Sequence, residues 1–186
     1  MLLTELPTFA RNVLRLSGAK ASAAVATPYV LIALCLFYGG KACDHFILKG
    51  YRRSNVRVFC QVVGNVGGGG LMVLAALVAP KSPMLALLFL NLGAVCTAGV
   101  GLGVCAIYLE LSHEWAGLFY AVSNVFATIP GILVPIATAW LLDHLAQEAA
   151  WITTFLIGFV VASTAALVFL RTFAQVDLEP LECLDA

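Results

Sequence analysis

Charged side chains are scarce in this chain of 186 residues. Asp, Glu, Lys and Arg make up 11% of the sequence, whereas soluble domains carry roughly a quarter, and hydrophobic residues make up 62%. This balance excludes an ordinary soluble domain. The formal net charge is zero, so the sequence offers no basic surface for a nucleic-acid partner. The composition therefore predicts an integral membrane protein in contact with the lipid bilayer.

Asp, Glu, Lys and Arg are absent altogether from five long stretches of the sequence. Each stretch is at least about 20 residues long, which is the length that an α-helix needs to cross a bilayer. Strands of a membrane barrel would be about half as long and would alternate apolar with polar residues. We therefore expect an all-α polytopic bundle of five transmembrane helices. The expected spans are residues 21–40, 58–79, 83–109, 115–142 and 151–170.

Groups that perform chemistry are also rare. No ionisable Asp, Glu, Lys or Arg falls in an expected span, and no catalytic triad, metal-ligand spacing or phosphate-binding loop is present. The cysteines have no paired spacing typical of a metal site or a disulfide framework, and we interpret them as free thiols that act as small apolar residues. We expect no enzyme activity, no cofactor and no metal. The three histidines, all expected in loops, and the six cysteines are His45, His113, His144, Cys35, Cys43, Cys60, Cys96, Cys105 and Cys183.

Positive charge is concentrated in residues 41–57. The positive-inside rule places this connection in the cytoplasm, together with residues 110–114 and a solvated C-terminal tail at 171–186. The N-terminus and the loops at Lys81 and at residues 143–148 then face the outside or a lumen. Residues 1–20 lack the uninterrupted apolar core of a secretory signal peptide. They look like the end of an earlier helix that stops at Pro7, followed by a short amphipathic segment, or like a free-standing interfacial helix.

Glycine is frequent in the second and third expected spans, with four consecutive residues at 67–70 and further positions at 93, 99, 101 and 103. Small residues let helix backbones approach closely in lipid, which predicts tight helix packing. Consecutive glycines also weaken a helix, so a segment that bends during a transport cycle is the alternative. Both interpretations indicate a bundle rather than a simple anchor.

The charge-free stretch at residues 115–142 contains residues that a plain anchor does not need. Pro130 removes a backbone hydrogen bond, and Pro135 repeats the effect, so the Pro130-Gly131 step and Pro135 predict a helix bend. The amide of Asn124 is costly in hydrocarbon without a partner, and it must face protein or a wet cavity. Contact between helices and contact with a ligand in a central cavity are both open. The same two interpretations apply to the nearby hydroxyl groups of Ser123 and Thr128.

Several segments carry a family resemblance, in order along almost the whole chain. WAGLFYAVSNVFATIPGILVPI at 115–136 closely resembles the eleventh helix of the sialin, vesicular glutamate and sodium-phosphate transporter family, the anion:cation symporter branch of the major facilitator superfamily. ELPT at 5–8 and NVL at 12–14 look like the end of the seventh helix and its exit. TPY at 27–29 resembles the start of the eighth helix, and GGKACD at 39–44 with VR at 56–57 resembles the loop between helices eight and nine.

The resemblance implies that the five spans are helices eight to twelve of a twelve-helix carrier and that residues 1–20 are the remnant of helix seven. It also implies a cytoplasmic charge lock at Gly40 and Asp44, in which Asp44 pairs with a cation such as Arg57. A topology-setting loop with a carboxylate at a helix end is the alternative. The chain departs from the family near the end of helix ten. There an Asn-His pair followed by Asp is usual, and this sequence has Ile107, Tyr108 and Glu110.

The function implied by this resemblance is transport of organic or inorganic anions by alternating access, coupled to protons or sodium. The substrate-cavity candidates are Asn124, Ser123, Thr128, Tyr29 and Tyr108, and the gating candidates are Gly40, Asp44 and Arg57. We expect the chain to be inactive alone, because the family's first six helices and most of the seventh have no counterpart in it. A non-transporting paralogue or subunit that assembles with another carrier half is the alternative. The sequence predicts a multi-pass protein without distinguishing the plasma membrane from a vesicular or lysosomal membrane.

Overall fold

The computed structural model describes residues 8–9, 18–111 and 114–173, and the described residues form helices without a strand. Five helices are long and apolar enough to cross a membrane, which confirms the predicted all-α polytopic fold. Helix α1 is Gly18–Leu48, α2 is Arg53–Val78, α4 is Ala116–His144 and α5 is Gln147–Phe173. Helix α3 consists of the consecutive segments Pro83–Val100, Gly101–Cys105 and Ala106–Leu111.

The helices extend beyond the charge-free stretches, so the connections are shorter than predicted. The expected connection at residues 41–57 is reduced to residues 49–52, because α1 continues to Leu48 and α2 begins at Arg53. Arg57 and Glu110 consequently lie within membrane-spanning helices. The helices are therefore longer than the charge-free stretches, and the bounds predicted for the membrane spans within them stay a prediction. These two side chains form an ion pair between the helices.

Two of the histidines predicted to lie in loops also lie in helices. His45 and His144 lie in the last turns of α1 and α4 rather than in loops. His144 stacks on Trp140, and its Nδ1 lies 2.8 Å from the Trp140 carbonyl oxygen. His113 lies outside the described residues. Arg171 belongs to α5 rather than to the predicted tail, and residues 174–186 lie outside the described part of the chain, as do most of residues 1–20.

The turn after α1 depends on one glycine. The backbone of Gly50 has a φ of 94°, a left-handed conformation that glycine adopts without steric strain. The amide of Gly50 donates to the carbonyl of Ile47 at 3.0 Å, and the amide of Tyr51 donates to Phe46 at 3.3 Å. This ending turns the chain into α2 within four residues.

The closest helix contact joins α2 and α3, and glycines form it from both sides. A Cβ atom added to Gly99 would lie 2.5 Å from the carbonyl oxygen of Cys60, and one added to Gly64 would lie 2.7 Å from the amide nitrogen of Val100. Gly68 similarly faces Gly93 and Thr97. Each helix also contains one π-helical turn, Val63–Gly67 in α2 and Gly101–Cys105 in α3. The structure thus uses these glycines for close packing.

The other helices are arranged around the α2–α3 pair. Helix α1 packs on α3, α5 packs on α2, and α4 contacts α5 and the C-terminal part of α3. A separate apolar cluster lies at α5, where the Phe9 ring meets Trp151 and Phe155 edge to face at centroid distances of 5.2 and 5.4 Å. All three side chains are buried. This arrangement places the N-terminal end of α2 beside the C-terminal end of α3, where the candidate site is found.

Candidate functional site

A buried ion pair joins the first turns of α2 to the last turns of α3. Arg57 donates to Glu110 Oε1 from Nε at 3.1 Å and from Nη2 at 2.7 Å. Its Nη1 donates to the carbonyl oxygen of Leu102 at 3.1 Å. The two side chains are 10% and 6% exposed, so both charges are largely removed from solvent. A charged pair in such a site is stable only while both partners remain.

Two acceptor oxygens near this pair have no donor. Glu110 Oε2 and Gln61 Oε1 are buried and make no hydrogen bond to the described residues. Gln61 lies one helical turn after Arg57 on the same face of α2. Buried acceptors without donors are costly. The ion pair is thus stable but incompletely satisfied.

The structure corrects the expected partner of Arg57. Glu110 forms the ion pair with the guanidinium group of Arg57, whereas the side chain of Asp44 is exposed on α1. The sequence reasoning missed Glu110 because its position was treated as a loop and as a departure from the family pattern. The sequence did contain one indication: Glu110 is acidic and occupies a position where the family usually has Asp. A gating role of Asp44 stays a prediction.

Gly40 lies close to the ion pair through Leu102. The Leu102 side chain packs against Gly39 and Gly40, and a Cβ atom added to Gly39 would lie 2.7 Å from Leu102 Cδ1. The Leu102 carbonyl also accepts the hydrogen bond from Arg57. The two glycines therefore let α1 approach the part of α3 that contacts the arginine.

Two of the cavity candidates are in direct contact. The Tyr108 hydroxyl donates to Ser123 Oγ at 2.7 Å and joins the end of α3 to α4. The Tyr108 ring also meets the Tyr120 ring edge to face at 6.3 Å. Both Tyr108 and Ser123 are half-buried. Their contact is one helical turn or less from Glu110 on α3 and from Asn124 on α4, respectively.

The remaining cavity candidates are not brought together by hydrogen bonds within the described residues. Asn124 and Thr128 are exposed on α4, and the Thr128 hydroxyl donates to the Val125 carbonyl of its own helix at 2.6 Å. Tyr29 is half-buried on α1. Helix α4 continues through Pro130, Gly131 and Pro135, so the bend there stays a prediction. The role of these residues as cavity lining stays a prediction too.

The described residues also line a partly open cavity of about 220 Å³ between α2, α3 and α5. None of the predicted cavity residues lines it. An amide on α2 and a hydroxyl on α3 are its polar side chains, and the rest of its wall is apolar or glycine. The lining comprises Gly64, Asn65, Gly69, Met72, Thr97, Phe155, Gly158, Phe159 and Ala162.

Curated relatives match nearly the whole chain, although no family model matches it. The chain is 29% identical to human sialin over 96% of its own length and 36% of sialin. It is 26% identical to the probable anion transporter 3 of Arabidopsis thaliana chloroplasts, over 82% of the chain and 30% of that protein. It is 28% identical to a putative inorganic phosphate cotransporter of Drosophila ananassae, over 76% of the chain and 29% of that protein.

The resemblance to the anion transporters is confirmed. Two of these three relatives are named as transporters, and the similarity agrees with a major facilitator anion transporter family. The chain spans about a third of the length of the curated anion transporters that it matches. Together with five helices that can cross a membrane, the similarity identifies an integral, multi-pass membrane protein.

Proposed function

We propose that this chain forms one half of an anion carrier and moves a small anionic solute by alternating access, together with a second helical half. The observation that carries the proposal is the similarity to anion and phosphate transporters along 96% of the chain but only 36% of the first of those relatives. Carriers of this type bind solute between two helical halves that rock against each other. The chain would then supply one wall of the central cavity.

Helices α1 and α4 are the proposed cavity wall. In the most apolar 18-residue stretch of each of these two helices, 6% of the residues are buried, compared with 33% in α2 and 28% in α3. Helix α4 nevertheless carries the exposed amide of Asn124 at membrane depth, where contact with lipid tails would be unfavourable. A second half that covers α1 and α4 and leaves a wet space at Asn124 resolves this conflict. Tyr29, Ser123, Thr128 and Tyr108 would contribute hydroxyl groups to the same wall.

The ion pair of Arg57 and Glu110 is the proposed gating element at the end predicted to face the cytoplasm. It holds the ends of α2 and α3 together through three hydrogen bonds that start from one guanidinium group. An opening movement that separates these ends must expose both charges to water or transfer them to new partners. Asp44 and Gly40, on the neighbouring end of α1, would move with this contact.

Uptake by reconstituted vesicles tests the half-carrier proposal. The chain is placed in liposomes alone, or together with the N-terminal half of human sialin or of the Drosophila ananassae phosphate cotransporter, and a labelled small organic carboxylate or inorganic phosphate is added outside. We expect saturable uptake only when both halves are present, because one half provides only one cavity wall. Imposed proton and sodium gradients in the same vesicles identify the coupling ion.

Either of two results would contradict the proposal. Robust saturable uptake by the chain alone would show that it is not a half. Assembly with an N-terminal half, demonstrated by co-purification, without uptake of either anion would favour the non-transporting subunit. Liposomes without protein give the background leak.

The Asn124→Ala substitution in the assembled carrier tests the cavity wall. If Asn124 contacts the anion, the loss of one hydrogen bond to a charged group, about 1.5–3 kcal/mol, raises the KM for the anion roughly 10- to 150-fold. The control is Asn65→Ala, which removes the same amide from α2, where it lines the separate cavity. An unchanged KM together with a lower melting temperature would assign Asn124 to helix contact instead.

A further inference from the structure

Two thiols from different helices meet near the candidate site. The Sγ atoms of Cys43 on α1 and Cys60 on α2 lie 3.5 Å apart. Cys43 is 5% exposed and Cys60 is half-buried. The two residues are separated by 17 positions in the sequence, and the turn at Gly50 folds α1 back onto α2 to bring them together. Their spacing in the sequence gave no indication of this contact.

We propose that Cys43 and Cys60 form a redox-modified dithiol, which a peroxide converts reversibly into a disulfide. The geometry is close to that of the product, because a disulfide needs an S–S distance near 2.05 Å and the sulfur atoms are already in contact. The proposal does not depend on the transport function.

The position of the pair gives an oxidant a short path. Cys43 is five residues before the end of α1 at Leu48, and Cys60 is seven residues after the start of α2 at Arg53. At about 1.5 Å per residue, both thiols lie roughly 10 Å or less from the helix ends. A small peroxide therefore has to enter only the outer part of the helix bundle.

The reaction is a two-electron oxidation that balances with one peroxide. The first sulfur, as thiolate, attacks a peroxide oxygen and breaks the O–O bond, which gives a sulfenic acid and, after proton uptake, one water. The second thiol then attacks the sulfenic sulfur, forms the S–S bond and releases the second water. Two S–H bonds and one O–O bond are lost, and the two electrons reduce the peroxide. A small dithiol reverses the change by thiol–disulfide exchange.

The other cysteines of the described residues provide internal controls. Cys105 is exposed, and Cys35 and Cys96 are half-buried, yet none of the three has a sulfur contact of the kind that joins Cys43 to Cys60. If exposure to solvent decided which thiol the peroxide oxidises, Cys105 would react first. If contact between two sulfur atoms decides which thiols form a disulfide, Cys43 and Cys60 react with each other.

Peptide mapping of the intact chain tests the proposal. The protein in detergent micelles is treated with hydrogen peroxide and digested with trypsin, which has sites at Lys49, Arg52 and Arg53 between the two cysteines. We expect the peptides that contain Cys43 and Cys60 to remain joined by a bond that dithiothreitol cleaves, and the protein to lose the mass of two hydrogen atoms. The Cys105→Ser variant should give the same product.

The Cys43→Ser and Cys60→Ser variants should each prevent this cross-link. Mapping of the unchanged protein needs no variant, so it decides the question even if a substitution impairs folding. A cross-link between other cysteines overturns the proposal. Stable sulfinic acid at Cys60 with Cys43 left as a thiol also overturns it, because a second thiol in contact with the sulfenic acid should trap it first.

Discussion

The Arg57→Met substitution is expected to lower the free energy of unfolding by about 3–5 kcal/mol, because it leaves the buried carboxylate of Glu110 without its partner. Three hydrogen bonds are lost at once, including the bond to the Leu102 carbonyl. The second oxygen of Glu110 has no donor among the described residues, so nothing nearby replaces the guanidinium group. Reversible unfolding of the protein in mixed micelles measures the difference.

A double substitution separates the stability of the pair from its proposed gating role. Arg57→Met together with Glu110→Leu removes both charges, and an apolar pair of similar size in a buried position is often as stable as the ion pair. We expect the double variant to recover most of the lost stability. In the assembled carrier it should still change the rate of uptake, because the helix ends then separate without exposing charge.

The matched control for these variants is Lys49→Met. Lys49 is an exposed cation in the short connection between α1 and α2, and its replacement should change stability by less than about 0.5 kcal/mol. A loss at Arg57→Met as small as that of the control would contradict the expected cost of leaving Glu110 without its partner. A double variant that stays as unstable as the single one would show that packing around Arg57, rather than charge pairing, holds the helix ends.

The sequence predicted the number and kind of helices because length and apolar composition are sufficient to identify a membrane span. It placed the helix ends poorly at Arg57 and Glu110. A boundary drawn at the first charged residue assumes that each charge faces water, and this assumption fails where two opposite charges meet inside the bundle. The pairing depends on which helices are neighbours, and no local pattern in either helix records that.

The same limit applies to the candidate site. Tyr108, Ser123 and Arg57 were selected from the sequence because of their residue types and the family resemblance, but the hydrogen bond of Tyr108 to Ser123 depends on how α3 and α4 pack. The contact of Cys43 with Cys60 likewise depends on the turn between α1 and α2. The sequence identified most of the polar groups, and the fold determined their partners.

The glycines between α2 and α3 allow a direct test of whether they serve close helix packing. We expect Gly99→Ala to lower the free energy of unfolding by about 1–3 kcal/mol, as overpacking of a close contact typically does. The added Cβ would lie 2.5 Å from the Cys60 carbonyl oxygen and 3.3 Å from the Gly64 amide nitrogen. These are backbone atoms of a neighbouring helix, so α2 and α3 must separate to admit the methyl group.

The control for Gly99→Ala is Gly117→Ala in α4, where an added Cβ atom has no neighbour within 4 Å. Gly117 is the second residue of α4, and alanine in place of glycine there restricts the unfolded chain without a steric conflict, so this variant should be as stable as the original chain or more stable. The two substitutions make the same chemical change, and opposite signs would isolate the helix contact as the cause. Equal effects would instead support the flexible-helix interpretation of the glycines in α2 and α3.

The α2–α3 contact also connects this prediction to the ion pair. A Cβ atom added to Gly103 would lie 2.8 Å from Gln61 Oε1 and 3.0 Å from the Arg57 carbonyl oxygen, one turn beyond Gly99. Separation of the helices at Gly99 therefore weakens the contact that positions Arg57 against Glu110. We expect the combined variant to lose less stability than the sum of the losses of Gly99→Ala and Arg57→Met. Each substitution already disrupts part of the α2–α3 contact that the other one disrupts.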